Sequence, residues 1–344
     1  MKKKELEKLI EEWRYFYQSK GVSDNLVDCY MSYAIPLLKK DLPPIFDFHH
    51  LSLLLKVDLT MLSSIINCPQ KFYREFSIPK RTGGNRVIEA PYPSLKYIQR
   101  WILTNILKKI KTHGCAHGFV NNRSIMTNVK IHENNKYLLK IDLKDFFPSI
   151  KINWVMQVFK ELGYENYVAF YLASLCCFDG KLPQGAPSSP AISNIVAIHL
   201  DRRLYRLAKK FNLNYSRYAD DMAFSGDKID GCFIHYVCDI INNCGFSVNE
   251  NKIRMYKDRG SKIITGISLA TGVPRITRSY RRELEQQLYY IKKFGLKGHI
   301  NHNKIRKANY LESIIGKINF WLMVEPENSF AKEMYEFVKK IYYN

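Results

Sequence analysis

The sequence lacks several features of exported, membrane-embedded and disulfide-stabilised proteins. No segment has the roughly 18 continuous apolar residues that span a bilayer, and charges interrupt residues 1–8. The eight cysteines include no CxxC pair, and a chain of 344 residues can fold without disulfides. These absences predict a cytoplasmic protein with no membrane partner.

Acidic residues are scarce relative to basic ones. Asp and Glu number 32 against 53 Lys and Arg, which gives a net charge of +21. Such an excess repels itself unless a polyanion neutralises it. The 23 Tyr and 19 Phe add stacking surfaces beside this charge. Together these features favour a nucleic-acid partner over a merely basic, soluble protein.

Helical and strand patterns mix without the strict alternation of a parallel α/β protein. Two strands joined at Gly83-Gly84 are predicted within 77–91, a strand at 136–141, and a hairpin that starts at 214–217. Helices are predicted at 3–20, 153–162, 164–176, 189–211 and, with many basic residues, from 275 onward. The predicted fold class is α+β.

Three aspartates lie at the ends of predicted strands. Asp142 ends an apolar run, and Asp220 and Asp221 belong to the Tyr-Ala-Asp-Asp sequence at 218–221. Because neighbouring strands lie about 5 Å apart, Asp142 and Asp220 can share metal ions. Carboxylates suit Mg²⁺, and two such ions serve nucleotide transfer to a hydroxyl. We expect two Mg²⁺, with Mn²⁺ as a substitute, and a weaker role for Asp221 on the other side of its strand.

Paired acids in a turn are usually only solvated, so the order of the surrounding segments matters more. Between about residues 45 and 275, six successive segments resemble the ordered motifs of reverse transcriptases: 77–91, 118–132, 140–150, 182–195, 218–225 and 249–257. The resemblance implies an RNA-directed DNA polymerase with the right-hand fold of fingers, palm and thumb.

Two further segments resemble elements of the bacterial retron reverse transcriptases. Asn-Val-Lys-Ile-His at 128–132 resembles the retron NAxxH element with Val for Ala, and Ile-Thr-Gly at 264–266 resembles the VTG triplet with Ile for Val. Both replacements are conservative in volume. The motif residues expected to contact RNA or support the fold are Asn128, His132, Thr265 and Gly266.

The family resemblance also implies nucleotide-binding roles near the first aspartate. Lys80 and Arg86 would grip the incoming triphosphate, although exposed charges on a mobile hairpin are the alternative. Phe147 would exclude a ribose 2′-hydroxyl. Phe146 is its structural alternative, since alternation along a strand lets only one face the nucleotide, and core packing is open to both.

Two later segments complete the expected site. Gln184 and Gly185 would position template and nucleotide, because a glycine permits close backbone approach, whereas the residues alone predict an ordinary loop. Lys252 resembles the lysine that stabilises or protonates departing pyrophosphate. A plain surface lysine is the alternative.

The resemblance implies a division of the chain into polymerase subdomains. We expect a helical segment at 1–70, fingers at 71–135 with part of 151–187, a palm of antiparallel sheet and helices at 136–150 and 188–266, and a short helical, basic thumb at 267–344. Fewer than 80 residues follow Gly266, so we expect no RNase H or integrase domain. Template removal would then fall to host RNase H.

Retron resemblance implies particular partners. These are a structured noncoding RNA as template and primer, dNTPs, a single-stranded DNA product linked to an RNA 2′-hydroxyl (msDNA), and a separate effector toxin in antiphage defence. The alternatives are a group II intron-like, diversity-generating or abortive-infection reverse transcriptase, or a non-catalytic RNA-binding scaffold for a toxin. The intact acids at 142, 220 and 221 argue against the scaffold.

Overall fold

The computed structural model describes residues 3–79, 83–257 and 260–343. The helices are α1 (Lys3–Ser19), α2 (Asp24–Lys39), α3 (Phe48–Leu55), α4 (Leu59–Asn67), α5 (Pro93–Asn105), α6 (Ile125–Lys130), α7 (Phe146–Ser149), α8 (Ile152–Leu162), α9 (Asn166–Cys176), α10 (Ser189–Val196), α11 (Ile198–Lys210), α12 (Gly231–Asn243), α13 (Arg278–His302), α14 (Tyr310–Val324) and α15 (Ser329–Tyr343). The strands are β1 (Tyr73–Pro79), β2 (Asn85–Pro91), β3 (Tyr137–Asp142), β4 (Asn214–Tyr218), β5 (Asp221–Gly226), β6 (Arg254–Tyr256), β7 (Ile263–Ile264), β8 (Ile267–Ser268) and β9 (Arg275–Ile276). Antiparallel strands mixed with helices confirm the α+β class.

The chain forms two compact units. The helical unit comprises the residues up to Val120, Leu143–Leu204 and Val237–Asn249. The sheet unit comprises Asn121–Asp142, Tyr205–Tyr236 and the residues from Glu250 onward. The division into fingers, palm and thumb stays a prediction.

The helical unit is built from packed helices and one hairpin. Helix α8 packs against α9, and α9 also contacts α5. Ile98 and Ile102 of α5 and Leu172 of α9 are fully buried in this unit. Strands β1 and β2 pair antiparallel along their whole length, which confirms the hairpin predicted at 77–91. Lys80, which we expected to bind triphosphate, lies outside the described residues.

The sheet unit centres on a four-stranded antiparallel sheet of order β4-β5-β3-β6. Leu138, Leu139 and Ile141 of β3 are buried, as the apolar run that precedes Asp142 predicts. Because the neighbouring side chains of Leu138 and Leu139 point to opposite faces and are both buried, both faces of β3 are covered here, which explains why the run does not alternate strictly with polar residues. A smaller sheet of order β7-β8-β9 belongs to the same unit.

Helices α13, α14 and α15 form the hydrophobic core of the C-terminal part of the sheet unit. Leu284, Leu288 and Ile291 of α13 are buried there, as their helical spacing predicts. Trp321 of α14 and Val338 of α15 are buried in the same core. Burial of each such side chain contributes about 1.5–3 kcal/mol. Within the described ranges, no helix combines the length and the apolar character that a membrane crossing requires.

Candidate active site

The carboxylate cluster, defined as Asp142, Asp220 and Asp221, lies at one end of the central sheet. Strand β3 ends at Asp142, and the antiparallel register places Asp221 of β5 directly opposite. Directly opposed residues project to the same face of a sheet, so these two carboxylates share a face. Asp220 lies in the two-residue turn between β4 and β5. The fold therefore brings together the three acids that the sequence singled out.

Because Asp220 lies in a turn, strand alternation is no reason to expect a weaker metal-binding role for Asp221 than for Asp220. Strand alternation separates neighbouring side chains only within a strand. Since Asp220 precedes β5 and Asp221 pairs with Asp142, the geometry gives Asp221 a closer association with Asp142 than alternation predicts. Which acids bridge two metal ions stays a prediction.

A buried arginine is hydrogen-bonded to the backbone of the turn that contains Asp220. Arg217 is fully buried, and its Nη1 donates to the carbonyl oxygen of Ala219 at 3.0 Å. Ala219 has a φ of 57°, a conformation that few non-glycine residues adopt. A buried guanidinium needs such acceptors, because desolvation without them is costly. Arg217 was not predicted as a site residue, although it lies in a predicted strand immediately before the acidic turn.

Burial and like charge disfavour the ionised forms of Asp220 and Asp221. Burial raises the pKa of Asp220 to about 6, and the charges of Asp142 and Asp221 add to this effect. Burial likewise raises the pKa of Asp221, where the charge of Lys140 opposes the shift. A divalent cation would relieve this repulsion. Lys140 was not predicted as a site residue, although a lysine two residues before a strand-end acid points to the same face.

Lys252 contacts the cluster directly. Its Nζ donates to both carboxylate oxygens of Asp142, at 2.9 Å and 3.1 Å. Partial burial opposes the charged form, but the hydrogen bond and the charge of Asp142 outweigh it and raise the pKa of Lys252. Lys252 and Asp142 line a small pocket of about 190 Å³ together with Lys140, Asp221 and Arg254. The lysine predicted from sequence thus lies among the predicted acids.

The cluster suits Mg²⁺ in its donor chemistry. Aspartate oxygens are the ligands that Mg²⁺ prefers. The pKa of Asp220 is raised by burial first and by the charges of Asp142 and Asp221 second, and a bound cation would favour its ionised form. Among the described residues, no three His, Cys, Asp or Glu side chains already converge as a ligand set. The Lys252 ammonium holds both oxygens of Asp142. Metal binding would therefore require the lysine to withdraw and the carboxylates to reorient.

In the helical unit, the Gln184-Gly185 loop is attached to strand β2. The backbone N–H of Glu89 donates to the carbonyl oxygen of Gln184 at 2.9 Å, and the N–H of Gln184 donates to the Glu89 carboxylate at 3.3 Å. Lys181 pairs with the same carboxylate at 3.4 Å. Gly185 has a φ of 141°, and a Cβ there would lie 2.8 Å from the Glu89 carbonyl oxygen. Glu89, which the sequence analysis missed, therefore fixes this loop against the strand that carries Arg86.

Phe147 and Phe146 lie on a helical turn rather than on a strand. The expectation that strand alternation separates them was wrong, because the chain turns at Asp145 (φ 46°) into the short helix α7. Phe146 is buried and contacts Phe246 with ring centroids 5.7 Å apart. Phe147 is half-buried beside Phe119, 6.3 Å away. Phe147 is therefore the more accessible ring of the two.

The retron-like residues lie in the sheet unit. His132 is buried, with Nδ1 2.6 Å from the Ser225 hydroxyl and Nε2 2.7 Å from that of Ser216, so it links β5 and β4. Asn128 is also buried, and within the described structure its Oδ1 has no hydrogen-bond partner. Residues 265 and 266 form the two-residue turn between β7 and β8, both with positive φ. His132 therefore has a structural role in the central sheet, Asn128 has a buried polar side chain, and residues 265 and 266 have an unusual backbone conformation.

The predicted site residues divide between the two units. The sheet unit contains Asp142, Asp220, Asp221, Lys252, Asn128, His132, Thr265 and Gly266. The helical unit contains Arg86, Phe147, Gln184 and Gly185.

Residues 78–305 match the family model "Reverse transcriptase (RNA-dependent DNA polymerase)". The Retron Mx162 reverse transcriptase of Myxococcus xanthus is 34% identical over 74% of this chain, and the match covers 58% of that protein. The Retron Ec86 reverse transcriptase of Escherichia coli is 30% identical over 83% of this chain and 87% of its own length.

A solved telomerase from Candida albicans, in complex with a fragment of telomeric RNA, covers 78% of this chain and 63% of its own at 12% identity and a TM-score of 0.47. The chain spans less than two thirds of the Mx162 protein and 87% of the Ec86 protein. The match to the family model and the extent of the Ec86 match show that the chain belongs to the reverse transcriptase family, among the retron reverse transcriptases of bacteria.

Proposed function

We propose that the chain is an RNA-directed DNA polymerase of the retron type that extends a hydroxyl primer with dNTPs. The observation that carries the proposal is the carboxylate cluster, with Asp142 opposite Asp221 and Lys252 hydrogen-bonded to Asp142. The pKa values of Asp220 and Asp221 are raised, and such perturbed acids are typical of sites that bind cations or transfer protons. Membership of the reverse transcriptase family supports the same activity.

The cluster residues would hold two Mg²⁺ ions, with Mn²⁺ as a substitute. Bound there, the metal supplies a lowered pKa at the attacking hydroxyl and a counter-charge for the triphosphate. Lys252, which like other lysines is protonated at neutral pH, would donate a proton to departing pyrophosphate. Once it leaves Asp142, its ammonium is available for that role.

The helical unit would supply nucleotide recognition. Arg86, exposed on β2, would pair with triphosphate oxygens. The accessible ring of Phe147 would exclude a ribose 2′-hydroxyl. The Gln184-Gly185 loop, held by Glu89, would position nucleotide and template, and the glycine at 185 permits the close approach of the loop backbone to Glu89.

Retron membership supports a more specific proposal. The template and primer would be a structured noncoding RNA, the primer a 2′-hydroxyl of that RNA, and the product RNA-linked single-stranded DNA. The setting would be antiphage defence with a separate effector toxin and with host RNase H for template removal.

Primer extension on an RNA template, with labelled dNTP and Mg²⁺, tests the polymerase proposal. We expect Asp220→Asn and Asp221→Asn each to lower incorporation by about a hundredfold or more, since each removes charge from the reacting centre. Asp227→Asn, which alters an exposed carboxylate just beyond β5, is the matched control and should retain activity. Absence of incorporation by the unaltered protein would favour the non-catalytic scaffold.

Nucleic acid that copurifies with the protein tests the retron part. The unaltered protein should carry DNase-sensitive DNA joined to RNA, and the doubly substituted Asp220→Asn, Asp221→Asn protein should carry the RNA alone. Active polymerase without any RNA-linked DNA would contradict the retron product and leave the polymerase proposal intact.

A further inference from the structure

Four rings in the C-terminal part of the sheet unit form a continuous stack that runs from solvent into the core. Phe294 and Tyr290 of α13 lie 6.1 Å apart at 28°, Tyr290 and His299 6.3 Å apart at 22°, and His299 and Tyr310 5.7 Å apart at 28°. Phe294 is 58% exposed and Tyr290 37%, whereas His299 and Tyr310 are buried. We call these four residues the ring stack.

A glycine makes this arrangement possible. Gly295 interrupts α13 with φ 71° and ψ 164°, a conformation that is essentially restricted to glycine. The interruption redirects the chain after Phe294, and the following helical segment carries His299 to the ring of Tyr290. His299 Nε2 lies 2.9 Å from the Tyr310 hydroxyl, which fixes the inner end of the ring stack.

The outer end of the ring stack is an exposed but well-supported aromatic surface. Contiguous exposed apolar surface often marks a binding site. Here the inner rings restrict Tyr290 and Phe294, so little conformational entropy is lost when another planar group stacks on them. Aromatic side chains of this kind are platforms for nucleobases, because every base has a π-face.

The chain segment that carries the ring stack is rich in basic residues. From residue 286 to residue 311 the sequence contains no Asp or Glu and six basic residues. Lys293 Nζ lies 5.3 Å from the ring centroid of Phe294 and 5.6 Å from that of Tyr289. Lys297 is exposed on the helical segment that follows Gly295, three residues after Phe294, while Lys292 pairs with Glu333 at 3.2 Å. This surface is complementary to a phosphate backbone.

We propose that the ring stack binds an unpaired nucleotide of single-stranded RNA, with its base on Phe294 and adjacent phosphates at Lys293 and Lys297. The choice of RNA as the ligand rests on the proposed function. Single-stranded rather than duplex RNA fits because a paired base has both faces covered by its neighbours. The basic surroundings fit a polyanion better than an apolar protein surface.

Binding of a single-stranded RNA of about 12 nucleotides, fluorescein-labelled and carrying one 2-aminopurine, tests the proposal. The full chain, freed of copurifying nucleic acid, should quench the 2-aminopurine. Phe294→Ala should weaken binding about fivefold or more and lose the quenching, whereas Phe294→Trp should retain both. Phe16→Ala is the matched control, since Phe16 is 55% exposed and has Lys20 5.9 Å from its ring centroid.

The salt dependence separates stacking from charge. Phe294→Ala should leave the slope of log affinity against log salt unchanged, whereas Lys297→Gln should lower it by about one. Equal effects of Phe294→Ala and Phe16→Ala, or unchanged quenching, would overturn the proposal. Primer extension by the unaltered preparation reports separately on the polymerase, so failure of either proposal is recognisable alone.

Discussion

At the scale of single residues, the ionised form of Asp220 lowers the free energy of unfolding. Its carboxyl is held where burial first, and the charges of Asp142 and Asp221 second, disfavour the charged form. The pKa is about 6 in the folded chain against 3.8 for an ordinary aspartate. Between these values the folded state binds more protons than the unfolded state. The free energy of unfolding therefore falls as pH rises through this window.

Asp220→Asn should remove this pH-dependent loss. In the metal-free protein at pH 7 we expect the free energy of unfolding to rise by up to about 3 kcal/mol, with little gain at pH 4. Thermal melts in EDTA at several pH values measure the effect. Asp227→Asn, at an exposed carboxylate, provides the control. An equal gain at both pH values would mean that the amide stabilises the turn for a reason other than charge.

At the scale of elements, the attachment of the Gln184-Gly185 loop to β2 gives a sharp prediction. In Gly185→Ala the new Cβ would lie 2.8 Å from the Glu89 carbonyl oxygen and the backbone would be strained at φ 141°. The loop should detach and the KM for dNTP should rise about tenfold, with a smaller change in kcat. Gly114→Ala, where a Cβ meets open space, should leave both constants unchanged. Steady-state incorporation kinetics measure them.

His132 joins the segment after α6 to two strands of the central sheet. His132→Ala would leave the buried hydroxyls of Ser216 and Ser225 without the ring nitrogens that lie 2.7 Å and 2.6 Å away. Because buried groups that lose a partner are costly, we expect a loss of about 2–4 kcal/mol in the free energy of unfolding. Urea denaturation measures it. His235→Ala, at an exposed position on α12, should change stability by less than about 0.5 kcal/mol.

The elements that the sequence predicts well are those with a local signal. An apolar run marks β3 and its terminal acid, and the spacing of apolar residues marks the buried face of α13. The contact of Glu89 with Gln184 joins residues 95 positions apart, so no local pattern could predict it. The helical turn at Phe146 also escaped prediction, because it depends on the left-handed conformation of Asp145.

At the scale of the whole molecule, the net charge of +21 bears on which partners the protein binds rather than on how it folds. Like charges in such excess repel one another within the folded chain, and this repulsion persists unless a polyanion is bound. Phosphate binding releases condensed counterions, so the affinity gained in this way depends on salt concentration. A protein that uses its charge to hold RNA must therefore show a steep salt dependence.

For single-stranded RNA of about 12 nucleotides we expect log affinity to fall with log salt at a slope of about −4, which corresponds to roughly six phosphates neutralised. Affinity should then drop about three hundredfold between 50 and 200 mM salt. Fluorescence anisotropy titrations at several salt concentrations measure the slope, and a shorter RNA of about four nucleotides should give a proportionately smaller one. A slope near −1 for both lengths would show that most of the +21 excess takes no part in RNA binding.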